Sequence, residues 1–246
     1  MSWKDLFSGH AEDYARFRPS YPPALFAWLA EVSPGRGLAV DLGTGNGQAA
    51  VSLADHFARV IGIEPSAEQL AHAATHPRVE YHVATAEATG LTDAAADLLL
   101  AAQAFHWFER DGFFAEARRV VRPGGVLALV SYALSRITPE VDAVVDELYR
   151  SLDPYWEPER RTVEDGYASV DVPFPALTAP AFAMESTWTV DDLVGYLGTW
   201  SALRKALAVG GRNPLDDVGP QLAAAWGEEP RREVLWPLAV RAFRVD

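Results

Sequence analysis

Short apolar segments alternate with segments of helical spacing through the first half of the chain. Each apolar segment is followed by glycine or polar residues, which is typical of a strand that ends in a turn. The pattern predicts strands over 38–42, 60–63, 79–83, 97–102 and 126–131, and helices over 48–57, 67–76 and 111–121. Apolar strands separated by helices of about ten residues indicate a parallel sheet that is buried on both faces, and therefore an α/β fold.

The rhythm changes in the second half. Helices are predicted over 140–152, 191–207 and 218–226, and strands over 182–188 and 233–245. Residues 153–181 contain many prolines and little periodicity, which indicates a long connection or lid. We therefore expect one domain over residues 1–246, with an N-terminal helical cap (1–36), a cofactor-binding core (37–133), and a lid insertion with C-terminal strands (134–246).

Composition narrows the classes of function. The 246 residues include no cysteine, which excludes disulfides, thiolate zinc sites, iron–sulfur clusters and a cysteine nucleophile. The formal net charge of −13 disfavours nucleic acid and anionic membranes as partners. No apolar run approaches the roughly 20 residues that span a bilayer. We expect a cytoplasmic protein, either a monomer or a homodimer.

A glycine-rich loop follows the first predicted strand. It reads Asp41-Leu42-Gly43-Thr44-Gly45-Asn46-Gly47. Glycines at this place allow a sharp turn and a close approach of the backbone to a ligand at the carboxyl end of the strand. A tight strand–helix turn without any ligand would use the same residues.

Glu64 closes the second strand, 21 residues after Gly43, where a carboxylate can accept hydrogen bonds from both ribose hydroxyls. NAD and S-adenosylmethionine both contain such a ribose. Three features favour S-adenosylmethionine: the glycines are spaced G-x-G-x-G and not G-x-G-x-x-G, Asp41 suits an ammonium group better than a pyrophosphate, and Thr85-Ala86-Glu87 follows the third strand, where it could reach an adenine edge.

Five motifs in this order resemble the class I S-adenosylmethionine-dependent methyltransferases of the type 11 group. They are Asp41 to Gln48, Gly62-Ile63-Glu64-Pro65-Ser66, Ala86-Glu87, Gln103 to Phe108, and Arg122-Pro123-Gly124-Gly125. The opening segment Tyr14 to Pro22 is similar to trans-aconitate methyltransferase-like proteins. The resemblance implies a doubly wound, Rossmann-like sheet of seven mostly parallel strands, with an antiparallel last strand and a lid region.

The same resemblance implies a role for each matched residue. The methionyl end of the cofactor would lie over Gly43, Thr44 and Gly45, near Asp41, and Glu64 would hold the ribose. Pro65 would pack on the adenine, Ala86 and Glu87 would lie at its edge, Gln103 would lie near the sulfonium, and Tyr14 and Arg18 would close over the cofactor. Thr44 stands where cysteine is frequent, and Thr85 stands where aspartate is frequent, so the carboxylate that usually contacts the adenine amino group is missing at that position.

Several residues could act on the acceptor. His106 follows the fourth strand and is a candidate general base, although a packing role is an open alternative. Trp107, Trp156 and Trp188 could line an acceptor pocket or pack the core. Arg16 or Arg18 could pair with an acceptor carboxylate. No metal site is expected, because His72 and His76 lack a third ligand.

The sequence therefore predicts an S-adenosylmethionine-dependent methyltransferase that acts on a small molecule, expected to carry a carboxylate. Two alternatives stay open. An NAD-dependent oxidoreductase could use a similar sheet, and a non-catalytic protein could bind S-adenosylmethionine without transferring its methyl group.

Overall fold

The computed structural model describes residues 19–246. These residues form an α/β structure with two short 3₁₀ turns, at Phe105–Trp107 and Asp153–Tyr155. The helices are α1 (Pro23–Val32), α2 (Gln48–Leu53), α3 (Ala67–Ala71), α4 (Arg110–Val120), α5 (Pro139–Ser151), α6 (Arg160–Glu164), α7 (Val190–Gly198), α8 (Ser201–Gly210) and α9 (Leu215–Trp226). The strands are β1 (Leu38–Leu42), β2 (Arg59–Glu64), β3 (Val79–Val83), β4 (Ala96–Ala102), β5 (Val121–Tyr132), β6 (Ala176–Leu177), β7 (Phe182–Trp188) and β8 (Arg232–Arg244).

One sheet runs through these residues in the order β3-β2-β1-β4-β5-β8-β6, and β7 also pairs with β8. Strands β1 to β5 are mutually parallel, and β8 is antiparallel to β5. This confirms the predicted fold class. The described sheet has eight strands where seven were expected, because β6 and β7 pair with different parts of β8: β6 with residues 242–243 and β7 with residues 232–238.

The order of the strands reverses between β1 and β4. In open α/β sheets, such a switch point leaves a crevice at the carboxyl ends of the strands, where ligands bind. The glycine loop follows β1 and Gln103 follows β4, so the fold places the predicted cofactor residues at this crevice.

Apolar side chains cover both faces of the sheet. On one face, α1 and α2 pack Leu29 and Leu53 against strand residues such as Leu100. On the other face, Phe113 and Ala117 of α4 pack against residues such as Leu99. Two covered faces explain why the strands are apolar at nearly every position and not at alternate positions.

Four side chains of the connection 153–181 pack into the core, whereas most of its other residues are exposed, and the role of a lid stays a prediction. Val163, Tyr167, Val170 and Phe174 are buried in the same cluster as Leu127 and Phe243 of the sheet. Because α6 is short, these four side chains, and not a long helix, cover this part of β5 and β8.

A second apolar core lies beside the sheet. Helices α5, α7, α8 and α9 pack around Trp236 of β8, which is fully buried. The predicted helix over 191–207 is in fact two helices, α7 and α8, because Trp200 adopts an extended conformation (φ −67°, ψ 130°) between them. Each helix described in residues 19–246 is too short or too polar to cross a bilayer.

Candidate functional site

The glycine loop is fastened to the end of β2. The backbone N–H groups of Gly43 and Thr44 both donate to the carbonyl oxygen of Ile63, at 2.8 and 3.0 Å. Gly43 has φ +65°, and a Cβ atom there would lie 2.5 Å from Cβ of Ala104. Only glycine fits this position, so the loop after β1 and the loop after β4 can meet.

Glu64 connects the end of β2 to the glycine loop. Its Oε2 accepts a hydrogen bond from the backbone N–H of Gly45 at 3.1 Å, and its Oε1 accepts one from Ser66 N–H at 3.1 Å. The side chain is buried. These contacts orient the Glu64 carboxylate at the edge of the glycine loop, where the ribose is expected.

Asp41 is a buried acid at the base of the loop. The Thr44 hydroxyl donates to Asp41 Oδ2 at 2.6 Å. Burial raises the pKa of Asp41 to about 7, against the opposing effects of the hydrogen bonds from Thr44 and the Ala50 backbone. A cation bound beside Asp41 would stabilise its charged form. The environment therefore suits an ammonium group.

Gln103 is held in a strained position directly after β4. Its φ is +53°, which is uncommon outside glycine. Its backbone N–H donates to Val130 O at 2.8 Å, and its side-chain amide donates to Tyr132 O at 2.9 Å. Among the described residues, the buried Oε1 has no hydrogen-bond partner. Strain and an unsatisfied polar atom together mark a functional position.

The predicted adenine residues lie after β2 and β3. Pro65 follows Glu64 and is partly buried, and Ala86 is buried. Oε1 of Glu87 accepts a hydrogen bond from the backbone N–H of Glu109 at 2.7 Å, at the start of α4. Glu87 is therefore already engaged with the protein, and the adenine contacts of all three residues stay a prediction.

His106 lies in the 3₁₀ turn after Gln103. Its Nδ1 is 3.1 Å from the hydroxyl of Tyr167, a fully buried residue. Burial, with a smaller contribution from the positive charge of Arg160, lowers the pKa of His106 to about 3. The imidazole is neutral at pH 7 and a weak base, so the structure disfavours the general-base role and favours the packing alternative.

The three predicted acceptor tryptophans have different environments. Trp107 is 39% exposed and stacks obliquely on His106, with ring centroids 4.7 Å apart. Trp156 is partly buried, and its ring lies 4.9 Å from that of Tyr149. For Trp188 the structure favours core packing over an acceptor pocket. Trp188 is buried in the helical core, and its ring centroid lies 4.8 Å from that of Trp236.

Two residues near His106 escaped the sequence analysis. They are Tyr167 and Arg160, and both lie in the proline-rich connection. The buried positions 163, 167, 170 and 174 are spaced as on one face of a helix, which is a signal that could have indicated the burial of Tyr167 but not the position of Arg160. The chain does not continue as a helix there, because Gly166 and Tyr167 both have φ +63°.

Three predicted residues lie outside the described part of the chain. They are Tyr14 and Arg18, expected to close over the cofactor, and Arg16, expected as an alternative partner of an acceptor carboxylate. Their roles stay predictions.

Comparison with known proteins agrees with the geometry of this crevice. A family model described as "Methyltransferase domain" matches residues 40–129, which run from β1 into β5. A protein of Dictyostelium discoideum, assigned provisionally as a methyltransferase, is 35% identical over 227 residues, covering 90% of this chain and 86% of that protein.

Solved structures show the same similarity. A protein of Anaeromyxobacter dehalogenans, assigned provisionally as a type II methyltransferase, superimposes with a TM-score of 0.88 at 52% identity, over 93% of this chain and 98% of that one. A second structure, from Anabaena variabilis, is 16% identical with a TM-score of 0.57 over 91% and 99% of the two chains, and shares the fold. The expected likeness to trans-aconitate methyltransferase-like proteins stays a prediction.

Proposed function

Because this chain belongs to the class I S-adenosylmethionine-dependent methyltransferases, we propose that it binds S-adenosylmethionine at the crevice between β1 and β4 and methylates a small carboxylate-bearing molecule. The observation that carries the cofactor site is the hydrogen bond between Glu64 and Gly45 N–H. It joins the acid expected to bind the ribose to the loop expected to bind the methionyl end.

The side chains at the crevice fit this cofactor. Asp41 would meet an ammonium group and Glu64 a ribose diol, whereas the pyrophosphate of NAD would lie beside the acidic Asp41, which offers it no favourable partner. Pro65, Ala86 and Glu87 would flank the adenine, and Gln103 would lie near the sulfonium. When bound, S-adenosylmethionine supplies an electrophilic methyl carbon and a thioether leaving group.

This chain's residues would contribute mainly alignment and exclusion of water. The strained backbone of Gln103 and its anchor to Tyr132 would keep the crevice in one shape. In the transfer, an acceptor atom bonds to the methyl carbon as the carbon–sulfur bond breaks, and the bonding pair returns to sulfur. A carboxylate acceptor releases no proton in this step, and therefore needs no base.

The weak basicity of His106 supports a carboxylate over a phenol or alcohol. With a pKa lowered to about 3, its imidazole would be a poor acceptor for a phenolic proton, which has a pKa of about 10. The net charge of −13 argues against nucleic acid as the acceptor. The absence of cysteine suits a reducing cytoplasm, where we place the protein as a monomer or homodimer.

Removal of the Glu64 carboxylate tests the cofactor site. Glu64→Ala should weaken binding of S-adenosylhomocysteine by about 1–3 kcal/mol, because two hydroxyls lose a charged acceptor. The measurement is calorimetry, with Glu68→Ala as the matched control, since Glu68 is an exposed acid nearby in α3. An affinity of Glu64→Ala equal to that of wild type would place the ribose elsewhere, and NADH binding in preference to S-adenosylhomocysteine would favour the oxidoreductase.

The acceptor class requires a separate screen. Small acids, phenols and amines are incubated with S-adenosylmethionine, and formation of S-adenosylhomocysteine is measured. We expect turnover of acids. Tight cofactor binding with no turnover of any small or macromolecular acceptor would favour a non-catalytic binding protein.

A further inference from the structure

The guanidinium of Arg160 is held against two aromatic rings beside the crevice. Its central carbon lies 5.3 Å from the ring centroid of Trp156 and 5.8 Å from that of Tyr149. Its Nε donates to the hydroxyl of Tyr149 at 3.2 Å. Stacked arginines lose side-chain freedom before any ligand arrives, so these contacts prepare the guanidinium for recognition of a planar anion.

Arg160 has guanidinium N–H groups that are not engaged by the described residues. Among residues 19–246, no carboxylate lies within 4.0 Å of its guanidinium nitrogens. The acids nearby have other partners: Glu164, which is exposed, accepts a short hydrogen bond from Tyr149, and Glu157 pairs with Lys205. A guanidinium with one engaged nitrogen can still offer a bidentate pair of N–H groups to a carboxylate.

The position of Arg160 connects it to the crevice. Helix α6 packs against the 3₁₀ turn Phe105–Trp107, which follows Gln103. The charge of Arg160 contributes to the lowered pKa of His106 and acts on the Tyr167 hydroxyl, so the guanidinium lies close to both. His106 is neutral and does not repel it. An anion bound by Arg160 would therefore lie on the side of the crevice where Gln103 is found.

We propose that Arg160, held against the rings of Trp156 and Tyr149, is the residue that recognises the carboxylate of the methyl acceptor. The rings beside the guanidinium favour an acceptor in which an apolar or aromatic group is attached to the acid. This inference rests on the proposed function, since it names the substrate class of the same site. It gives this role to a different residue from Arg16 and Arg18, whose expected part in binding the acceptor carboxylate stays a prediction.

Matched acids and amides test the proposal. Benzoate, phenylacetate and trans-cinnamate, each paired with its primary amide, are assayed as acceptors with S-adenosylmethionine and as ligands by calorimetry in the presence of S-adenosylhomocysteine. Wild type should use or bind acids and not amides. Arg160→Gln should raise the KM or Kd for the acids by about 10- to 100-fold, since one bidentate charged contact is lost.

Arg161→Gln is the control, because Arg161 is the neighbouring exposed arginine of α6. It should match wild type for every acid, and Arg160→Lys should recover only part of the affinity. Affinity for S-adenosylhomocysteine should be unchanged in all three variants, which separates this proposal from the cofactor site. Equal use of acids and amides by wild type, no binding of any acid, or an Arg160→Gln protein that handles acids as wild type does would each overturn the proposal.

Discussion

Asp41 has an environment that disfavours its charged form unless a cation lies beside it. The carboxyl is buried, and the negative charge of Glu64 adds a smaller effect that also raises its pKa. Its pKa is raised from 3.8 to about 7 in the folded protein. Between about pH 4 and pH 7 the carboxyl is therefore protonated in the folded protein and ionised in the unfolded chain. The stabilising contribution of Asp41 is therefore complete below about pH 4 and is lost as the pH rises to about 7. A bound ammonium group would offset the unfavourable burial of the ionised carboxylate by stabilising its charge.

We predict that the affinity for S-adenosylhomocysteine depends on pH through Asp41. An ammonium ligand favours the ionised carboxylate, so binding should weaken by up to about tenfold for each pH unit below about 7 and level off above it. Calorimetry at several pH values measures this slope, and binding at acidic pH should release protons to the buffer.

Two variants isolate the contribution of Asp41. Asp41→Asn should bind more weakly at pH 8 and lose the slope below pH 7, because the amide does not titrate. Asp171→Asn, at an exposed position, should retain the wild-type slope. A wild-type affinity that is constant from about pH 5 to 8 would contradict the prediction and would place the ammonium group away from Asp41.

Site residues that lie at the end of a predicted strand could be identified from the sequence. Site residues that only tertiary packing brings to the crevice could not. Gly43 follows the first predicted strand and Glu64 closes the second, and the parallel sheet brings both to the same edge. Arg160 lies 54 residues after His106, in a segment without clear periodicity. Only the packing of α6 on the 3₁₀ turn brings the two together, so no local pattern predicts that contact.

Asp97 fixes the start of β4 to the start of β1. The carboxylate is fully buried, and its Oδ2 accepts hydrogen bonds from the backbone N–H groups of Gly37 and Leu38 at 2.7 and 3.0 Å. Its Oδ1 lies 3.0 Å from Nη1 of Arg122. One side chain thus joins two strands that are distant in sequence, at the end of the sheet opposite the crevice.

We predict that Asp97→Ala lowers the free energy of unfolding by about 2–4 kcal/mol, because two N–H groups and a cation lose their buried partner. Asp93→Ala is the comparison. Asp93 pairs with Arg119 but is 81% exposed, so its loss should cost at most about 1 kcal/mol. Denaturant unfolding measures both. Equal costs for the two variants would show that the contacts of Asp97 add little to the pairing of the strands.

Elements with strong local patterns were predicted well, and those that depend on neighbours were not. Strand β1 was predicted with its observed bounds, because an apolar run followed by glycines determines both its type and its end. The break between α7 and α8 was missed, since residues 191–207 keep helical spacing while the backbone of Trp200 turns to bury its ring against Tyr149 and Tyr196.

Strand β8 joins the two main parts of the molecule. Its C-terminal half contributes Ala242 and Phe243 to the clusters on opposite faces of the sheet, and its N-terminal half contributes Val234 and Trp236 to the helical core. It pairs with β5, β6 and β7. Loss of either core would remove partners from the same strand, so we expect the cores to unfold together.

We predict a single cooperative transition, measured with two probes. Five of the chain's eight tryptophans, at positions 156, 188, 200, 226 and 236, contribute to the helical core, so tryptophan fluorescence reports mainly on that core. Far-ultraviolet circular dichroism also reports on the sheet. The two denaturation curves should coincide, and S-adenosylhomocysteine at 100 times its Kd should move both by the same amount, about 2.7 kcal/mol, although it binds at the sheet.

Trp236→Ala should shift both curves together, by about 3–5 kcal/mol, because a buried indole leaves a cavity. Fluorescence that changes before circular dichroism, or a ligand effect seen by one probe alone, would show that β8 does not couple the two cores.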